Sequence, residues 1–159
     1  MAYRKYISND THAGGAGGFH EPIHYFTAQV AGEVTADTGA HTLFICPSGV
    51  TGSIVSVVGG VIENGSDANE DLTMAFNVRK NTTAVCSTNA AIAKTAASDA
   101  RATTAAAGTG ITQAVIKTDG SEDFVAGDTI NAIFDITIGT ADTNITGPSV
   151  TVGVKFNAV

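Results

Sequence analysis

The sequence predicts an all-β protein, and three observations lead to this prediction. Residues 72–79, 130–138 and 150–157 alternate apolar and polar side chains with a period of two, which places one face of a strand on a core. Charged residues are only 14% of the chain, so strong helix formers such as Glu, Lys and Arg are scarce, while Val, Ile and Thr are abundant. Turn-forming sequences separate the strands.

Five further segments complete a set of about eight predicted strands. In chain order they are residues 26–30, 41–46, 53–62, 83–86 and 111–117. Segments 41–46 and 53–62 are apolar on both parities, which is typical of strands covered on both faces. Within the second, Gly59-Gly60 indicates a bulge or a bend. Short strands with turns between them favour a sandwich or barrel over a parallel sheet.

Six turn signals lie between these strands. They are Pro47-Ser48-Gly49, Asn64-Gly65, Lys80-Asn81-Thr82, Asp119-Gly120, Gly127-Asp128 and Gly147-Pro148. Residues 89–110 break the pattern because they are rich in Ala, and Ile92 is their only large apolar residue. Asn89 and Gly108 could cap a helix there. We interpret this segment as a long connection, with a helical part left open.

Residues 20–24 read His-Glu-Pro-Ile-His, which matches the H-E-x-x-H pattern of zinc peptidases. That site needs a helix that places both histidines on one face. Four glycines within residues 14–18 and Pro22 inside the motif oppose a helix, since an interior proline costs about 3 kcal/mol. We therefore predict no peptidase site, no other catalytic residue and no cofactor.

Metal-binding patterns are equally incomplete. The spacing of a calcium loop occurs twice, at Asp67, Asn69 and Asp71 and at Asp119, Ser121 and Asp123. Neither segment has the Gly at the sixth position or the Glu at the twelfth that such a loop requires. We interpret both as acidic turns, with a loose calcium site as the alternative. Four histidines, His12, His20, His24 and His41, are expected at a surface or interface, with a metal on an oligomer axis left open. Two cysteines, Cys46 and Cys86, are too few for a disulfide framework and could be bonded or free.

The chain divides into an extended N-terminal arm, residues 1–24, and a β-sandwich domain, residues 25–159. Apolar and aromatic residues of the arm stand between glycines and polar residues without a periodic face, so they cannot form a core of their own. We expect the arm to order on a partner; a disordered tail is the alternative. The predicted partner-binding residues are Tyr3, Arg4, Lys5, Tyr6, Ile7 and Phe19.

The distributions of charged and of apolar residues argue against two classes of partner, nucleic acid and membranes. The net charge is −7, and the eight Lys and Arg residues form no basic face of the kind that nucleic acid requires. No apolar run approaches the roughly 20 residues of a membrane span. The segment MAYRKYISND lacks the apolar region of a secretory signal. We expect neither nucleic acid nor a membrane as a partner.

Three stretches, LFICPSGVTGSIVSVVGG, FNVRKNTTAVCSTNAAI and FVAGDTINAIFDI with VTVGVKF, resemble tailed-bacteriophage virion proteins. The resemblance is to capsid decoration (cement) proteins and head fibres, and it covers roughly residues 25–159. It implies a jelly-roll-like antiparallel β-sandwich of about eight strands that forms a homotrimer. It also implies binding to the major capsid protein on the outer surface of the virion, after synthesis in the host cytoplasm. Gly127-Asp128 before a final hairpin also occurs in trimeric jelly rolls of the C1q and tumour-necrosis-factor type.

A second class of function remains open. A head-fibre or tail-tip module would bind a host-surface glycan or receptor instead of the capsid. Glycan sites usually present exposed aromatic platforms, whereas this chain has no Trp and only three Tyr. We therefore favour a non-catalytic decoration protein, with the glycan- or receptor-binding module as the alternative.

Overall fold

The computed structural model describes residues 22–34, 36, 38–64, 73–93, 102–137 and 145–157. Regular secondary structure in these residues is entirely β-structure, and they include no helix long and apolar enough to cross a membrane. The strands are β1 (Ile23–Gln29), β2 (Glu33–Val34), β3 (His41–Ile45), β4 (Thr51–Val61), β5 (Glu63–Asn64), β6 (Thr73–Lys80), β7 (Thr83–Ala84), β8 (Cys86–Thr88), β9 (Ala90–Ala93), β10 (Ala102–Thr103), β11 (Ile111–Thr112), β12 (Val115–Ile116), β13 (Asp123–Phe124), β14 (Thr129–Thr137), β15 (Ile145–Thr146) and β16 (Ser149–Asn157).

Two antiparallel sheets form the body of the protein. Sheet I has the order β1-β16-β4-β10, with β13 also paired to β4, and sheet II has the order β11-β9-β6-β14-β3, with β7 paired to β6. The sheets face each other, since Phe26 of β1 lies 4.5 Å from Phe44 of β3 between ring centroids. The chain crosses from one sheet to the other between most of its long strands. The predicted all-β sandwich is confirmed.

The core lies between the two sheets and is built from the alternating residues of the long strands. Phe76 and Phe134 are fully buried, with ring centroids 6.0 Å apart. Val152 and Val154 meet them from sheet I and are equally buried. Ile136 and Phe156 are the next even-numbered residues of these strands. They lie at the rim of the core and are partly buried against it. The period-two pattern therefore identified the core strands and their inward faces.

Strand β4 contains a β-bulge at Val55. Its register with β16 steps from Ile54 opposite Val154 to Ser56 opposite Gly153, which leaves Val55 without an opposed residue. An extra residue reverses the alternation, so the buried positions are even-numbered before the bulge and odd-numbered after it. The interpretation of residues 53–62 as covered on both faces is therefore wrong. Apolar residues occur on both parities because the inward parity changes within the strand.

Gly59 has a packing role instead of marking the bulge. The register of β4 with β16 is regular across both Gly59 and Gly60, so the bulge predicted there is wrong. Gly59 faces sheet II, where the Phe76 ring occupies the space that a side chain would need. At Gly60 a Cβ would meet its nearest atoms, Ala102 O and Ser149 Oγ, at 3.5 Å. One glycine is thus required by a close approach between the sheets, and its neighbour is not.

The weakest sequence predictions concern the Ala-rich region and the segment after it. Each described part of residues 89–110 contains a strand, since β9 pairs with β6 and β10 pairs with β4; residues 94–101 lie outside the described part. Ala90 is fully buried opposite Phe76, so its small side chain fits beside a large ring. The single strand predicted at 111–117 is wrong, because β11 pairs with β9 whereas β12 pairs with β8.

We predict that Gly59→Ala destabilises the protein whereas Gly60→Ala does not. The added methyl at position 59 would force the Phe76 ring to move, and overpacking of this kind costs about 1–3 kcal/mol. At position 60 the added methyl meets only ordinary contacts, and we expect a change below about 1 kcal/mol. Urea unfolding of both variants measures the difference.

A second substitution in the Gly59→Ala background tests the cause. Phe76→Leu removes the ring that meets the new methyl, so the two substitutions should cost less together than the sum of their separate effects. Additive effects would contradict the assigned contact.

Candidate functional site

All of the predicted partner-binding residues lie in residues 1–21, outside the described part of the chain. The described part nevertheless fixes where the sandwich begins. Ile23 and His24, assigned to the arm by the sequence, are the first residues of β1 and pair with Lys155 and Val154 of β16. Sheet I therefore starts two residues before the expected boundary at residue 25.

The peptidase-like motif ends inside this strand. His20 and Glu21 lie outside the described residues, and His24 belongs to β1, where its ring lies 5.2 Å from that of Phe156. A strand sends successive side chains to opposite faces, so His24 has no helical neighbour one turn earlier. His41, the other described histidine, lies 5.4 Å from the Phe134 ring at the rim of the core.

A lysine binds the acidic loop that resembles a calcium site. Lys80 Nζ donates to the backbone carbonyl of Gly120 at 3.0 Å and to that of Asp123 at 2.6 Å. The loop carboxylates accept protein hydrogen bonds: Asp119 from Ser121 N–H, Glu122 from Gly120 N–H and Asp123 from the Ser53 hydroxyl. The described residues contain no cluster of His, Cys, Asp and Glu able to hold a metal ion. The other acidic segment, residues 67–71, lies outside them.

The adjacent corner is fixed by Asn81 and Asp128. Asn81 has a left-handed backbone, φ 54°, as the predicted turn requires. Its side chain donates to Asp128 Oδ1 at 2.7 Å and accepts from Thr129 N–H at 2.9 Å. Val125 N–H donates to Asp128 Oδ2 at 2.9 Å. These bonds lower the pKa of Asp128, the Val125 bond most and the Asn81 bond next, with a smaller effect from the Lys80 charge.

The two cysteines are free thiols and both are buried. Burial raises the pKa of Cys86 to about 11. Burial also raises the pKa of Cys46, with the nearby Asp128 charge acting in the same direction. Since the thiolate is the reactive form, neither residue is an activated nucleophile.

The outer face of sheet I presents an apolar patch. We define the sheet I patch as Ile23, Tyr25 and Val55, which are 41%, 65% and 37% exposed, together with the intervening Gly153. A Cβ on Gly153 would meet Ser56 Oγ first and would lie 3.1 Å from both Ile23 Cγ2 and Tyr25 Cε1, so these three side chains lie over the glycine. Val55 is the bulged residue of β4, and it follows the inward-facing Ile54, so its side chain lies on the outer face.

Sheet I also lacks acidic residues in its long strands. The protein has 15 Asp and Glu residues, yet β1, β4 and β16 contain none of them, and Lys155 is their only charged residue. The composition of each strand is visible in the sequence. That the three strands are neighbours depends on the pairing, so sequence reasoning missed this surface. Its chemistry suits contact with another macromolecular surface.

Comparison with known proteins identifies no family. No family model matches the chain, and no curated protein matches it in sequence. Its function must therefore be inferred from its own residues.

We predict that Lys80→Met lowers the free energy of unfolding by about 1–2 kcal/mol, because it removes two charge-assisted hydrogen bonds from the Gly120–Asp123 loop. Thermal and urea unfolding measure this loss. The exposed Lys155 is the matched control, and Lys155→Met should change stability by less than about 0.5 kcal/mol. Equal stability losses in the Lys80→Met and Lys155→Met variants would contradict the role assigned to Lys80.

We also predict that Asp128→Asn lowers stability at neutral pH, and that the deficit shrinks in acid. A carboxylate whose pKa is lowered by folding adds stability above its unfolded pKa, about 3.9, and loses it as the pH falls through the folded pKa. Urea midpoints of parent and variant, measured at neutral pH and about one unit below the ordinary aspartate pKa, give the two differences. An equal difference at both pH values would show that ionisation of Asp128 is irrelevant.

Proposed function

We propose that the protein is a virion structural protein that binds the outer surface of a phage capsid and stabilises it without catalysis. The observation that carries this proposal is the outer face of sheet I, where exposed apolar side chains lie on long strands, β1, β4 and β16, that contain no carboxylates. The resemblance of three stretches of the sequence to decoration proteins and head fibres points in the same direction.

The chemistry of this face suits a protein–protein contact. Charged groups are costly to remove from water, so the centres of interfaces are depleted in them and enriched in aromatic residues such as Tyr. Tyr25 is the most exposed large apolar residue of the described chain, and it lies beside Ile23 over Gly153. The carboxylates elsewhere keep the remaining surface soluble and hydrated.

The arm enters the sandwich at the same place. Ile23 is both the first residue of β1 and a member of the sheet I patch. Residues 1–22 therefore join the domain beside its apolar surface, and one partner can contact both. Two linked contacts bind more tightly than either contact alone, because the second forms at a high effective concentration. We assign the main capsid contact to the arm and a supporting contact to the patch.

The strand order supports a jelly roll as the finer description of the fold. The long strands β1, β4 and β16, with the short β13, lie in sheet I, and β3, β6, β9 and β14 lie in sheet II. These eight strands are neighbours in the orders β1-β16-β4-β13 and β3-β14-β6-β9, to which β7, β10 and β11 add two residues each. A jelly roll is an eight-stranded double sheet, and it is common in viral capsid proteins.

We predict that deleting residues 1–22 abolishes most capsid binding but leaves the melting temperature nearly unchanged. The deletion ends before β1, so the seven pairs between β1 and β16 remain. The lost arm carries Tyr3, Tyr6, Ile7 and Phe19, whose burial on a partner is worth roughly 25 cal/mol per Å² of apolar area. Cosedimentation with phage capsids prepared without the protein measures binding, and circular dichroism measures the fold.

A variant with the arm intact separates the two contacts. Tyr25→Lys should reduce capsid binding less than the deletion does. Full capsid occupancy by the deleted protein would contradict the role of the arm. Binding to host cells or their glycans, without binding to capsids, would favour a receptor-binding module instead.

A further inference from the structure

Strand β1 is a sheet edge with which no other described strand pairs on its outer side. Six strands lie at the edges of sheets I and II in the described structure: β1, β10 and β13 in sheet I, and β3, β7 and β11 in sheet II. An edge exposes unpaired N–H and C=O groups that can pair with another chain, and proteins usually protect it by shortness, a bulge or a charge. β7, β10, β11 and β13 have two residues each, and β3 has a bulge at Leu43 in its register with β14. β1 has seven residues in unbroken register with β16.

The composition of β1 also leaves it open to pairing. Its sequence, IHYFTAQ, contains no Lys, Arg, Asp or Glu. The protein carries a net charge of −7, so two copies repel each other over most of their surfaces. They approach at lowest electrostatic cost where neither presents a carboxylate, and the long strands of sheet I meet this condition. A second copy of the chain is therefore the partner that this edge fits.

We propose that β1 pairs antiparallel with β1 of a second copy, about a two-fold axis at Phe26. This register keeps all seven residues paired and places Tyr25 opposite Thr27, and Ile23 opposite Gln29, of the other copy. Such an interface is self-complementary, because one strand supplies both of its halves. The two sheets I become one continuous sheet, with both copies of the sheet I patch on the same outer side.

The pairing goes beyond the proposed function and does not depend on it. If the capsid contact also holds, a pair would present two patches and two arms to one surface, which increases avidity. A two-fold pair also differs from the homotrimer that the sequence resemblance implies. Solution mass separates the two, since the subunit mass is 16.0 kDa.

Sedimentation equilibrium of the full chain tests the proposal, with Thr27 as the substituted residue. Thr27 lies on the outer side of β1, where its hydroxyl is 2.9 Å from that of Thr151. Both Thr27→Lys and Thr27→Val lose this contact, but only Lys brings a charge to the paired edge. We expect twice the subunit mass for the parent and for Thr27→Val, and a single subunit for Thr27→Lys. A monomeric parent, a trimer or a dimeric Thr27→Lys variant would overturn the proposal.

Disulfide trapping tests the register. Opposed residues on paired strands have Cβ atoms about 5 Å apart, close to disulfide spacing, whereas diagonal neighbours lie about 7–8 Å apart. We expect Tyr25→Cys and Thr27→Cys proteins, mixed and mildly oxidised, to form a disulfide-linked pair containing one of each. Each variant alone, and the parent with its buried thiols, should give at most traces. Efficient linkage within either single variant, or no linkage in the mixture, would contradict a two-fold axis at Phe26.

Discussion

The β-bulge at Val55 is the constraint on which both faces of sheet I depend. Without it, the inward face of β4 could include Ile54 or Val57 but not both, because a strand keeps one parity. With the bulge, both side chains enter the core. Gly59 also faces the core, and the Phe76 ring fills the space that a side chain at this position would occupy. The bulged Val55 stays exposed between the two inward-facing stretches, where it belongs to the sheet I patch.

Long strands could be predicted from the sequence because their signal is local. β6, β14 and β16 each alternate over eight or nine residues. No observed end of these strands lies more than one residue from its predicted position. The turns could also be predicted from local sequence, since Gly120, Gly127 and Asn81 lie in predicted turns and adopt a positive φ. The bulge in β4 and the Ala-rich strand β9 have no such signal. The first depends on register with β16, and the second on a large ring in the neighbouring strand.

The candidate surface illustrates the same limit. The arm residues were singled out because aromatic side chains among glycines are conspicuous in a sequence. The face of sheet I was not singled out, because β16 is distant in the chain from both β1 and β4 and brings them together only through pairing. Motif reasoning was most useful for exclusion. The loop with calcium-like spacing lacks two required residues, and Lys80 donates hydrogen bonds to its carbonyls.

The buried cysteines have a consequence for the covalent chemistry of the protein. Cys46 and Cys86 are unbonded inside the fold, and burial disfavours their thiolates, which are the forms that react with oxidants and attack disulfides. The sandwich is held by packing and strand pairing, without a cross-link that a reductant could open. The stability of the fold therefore does not depend on the formation of a disulfide.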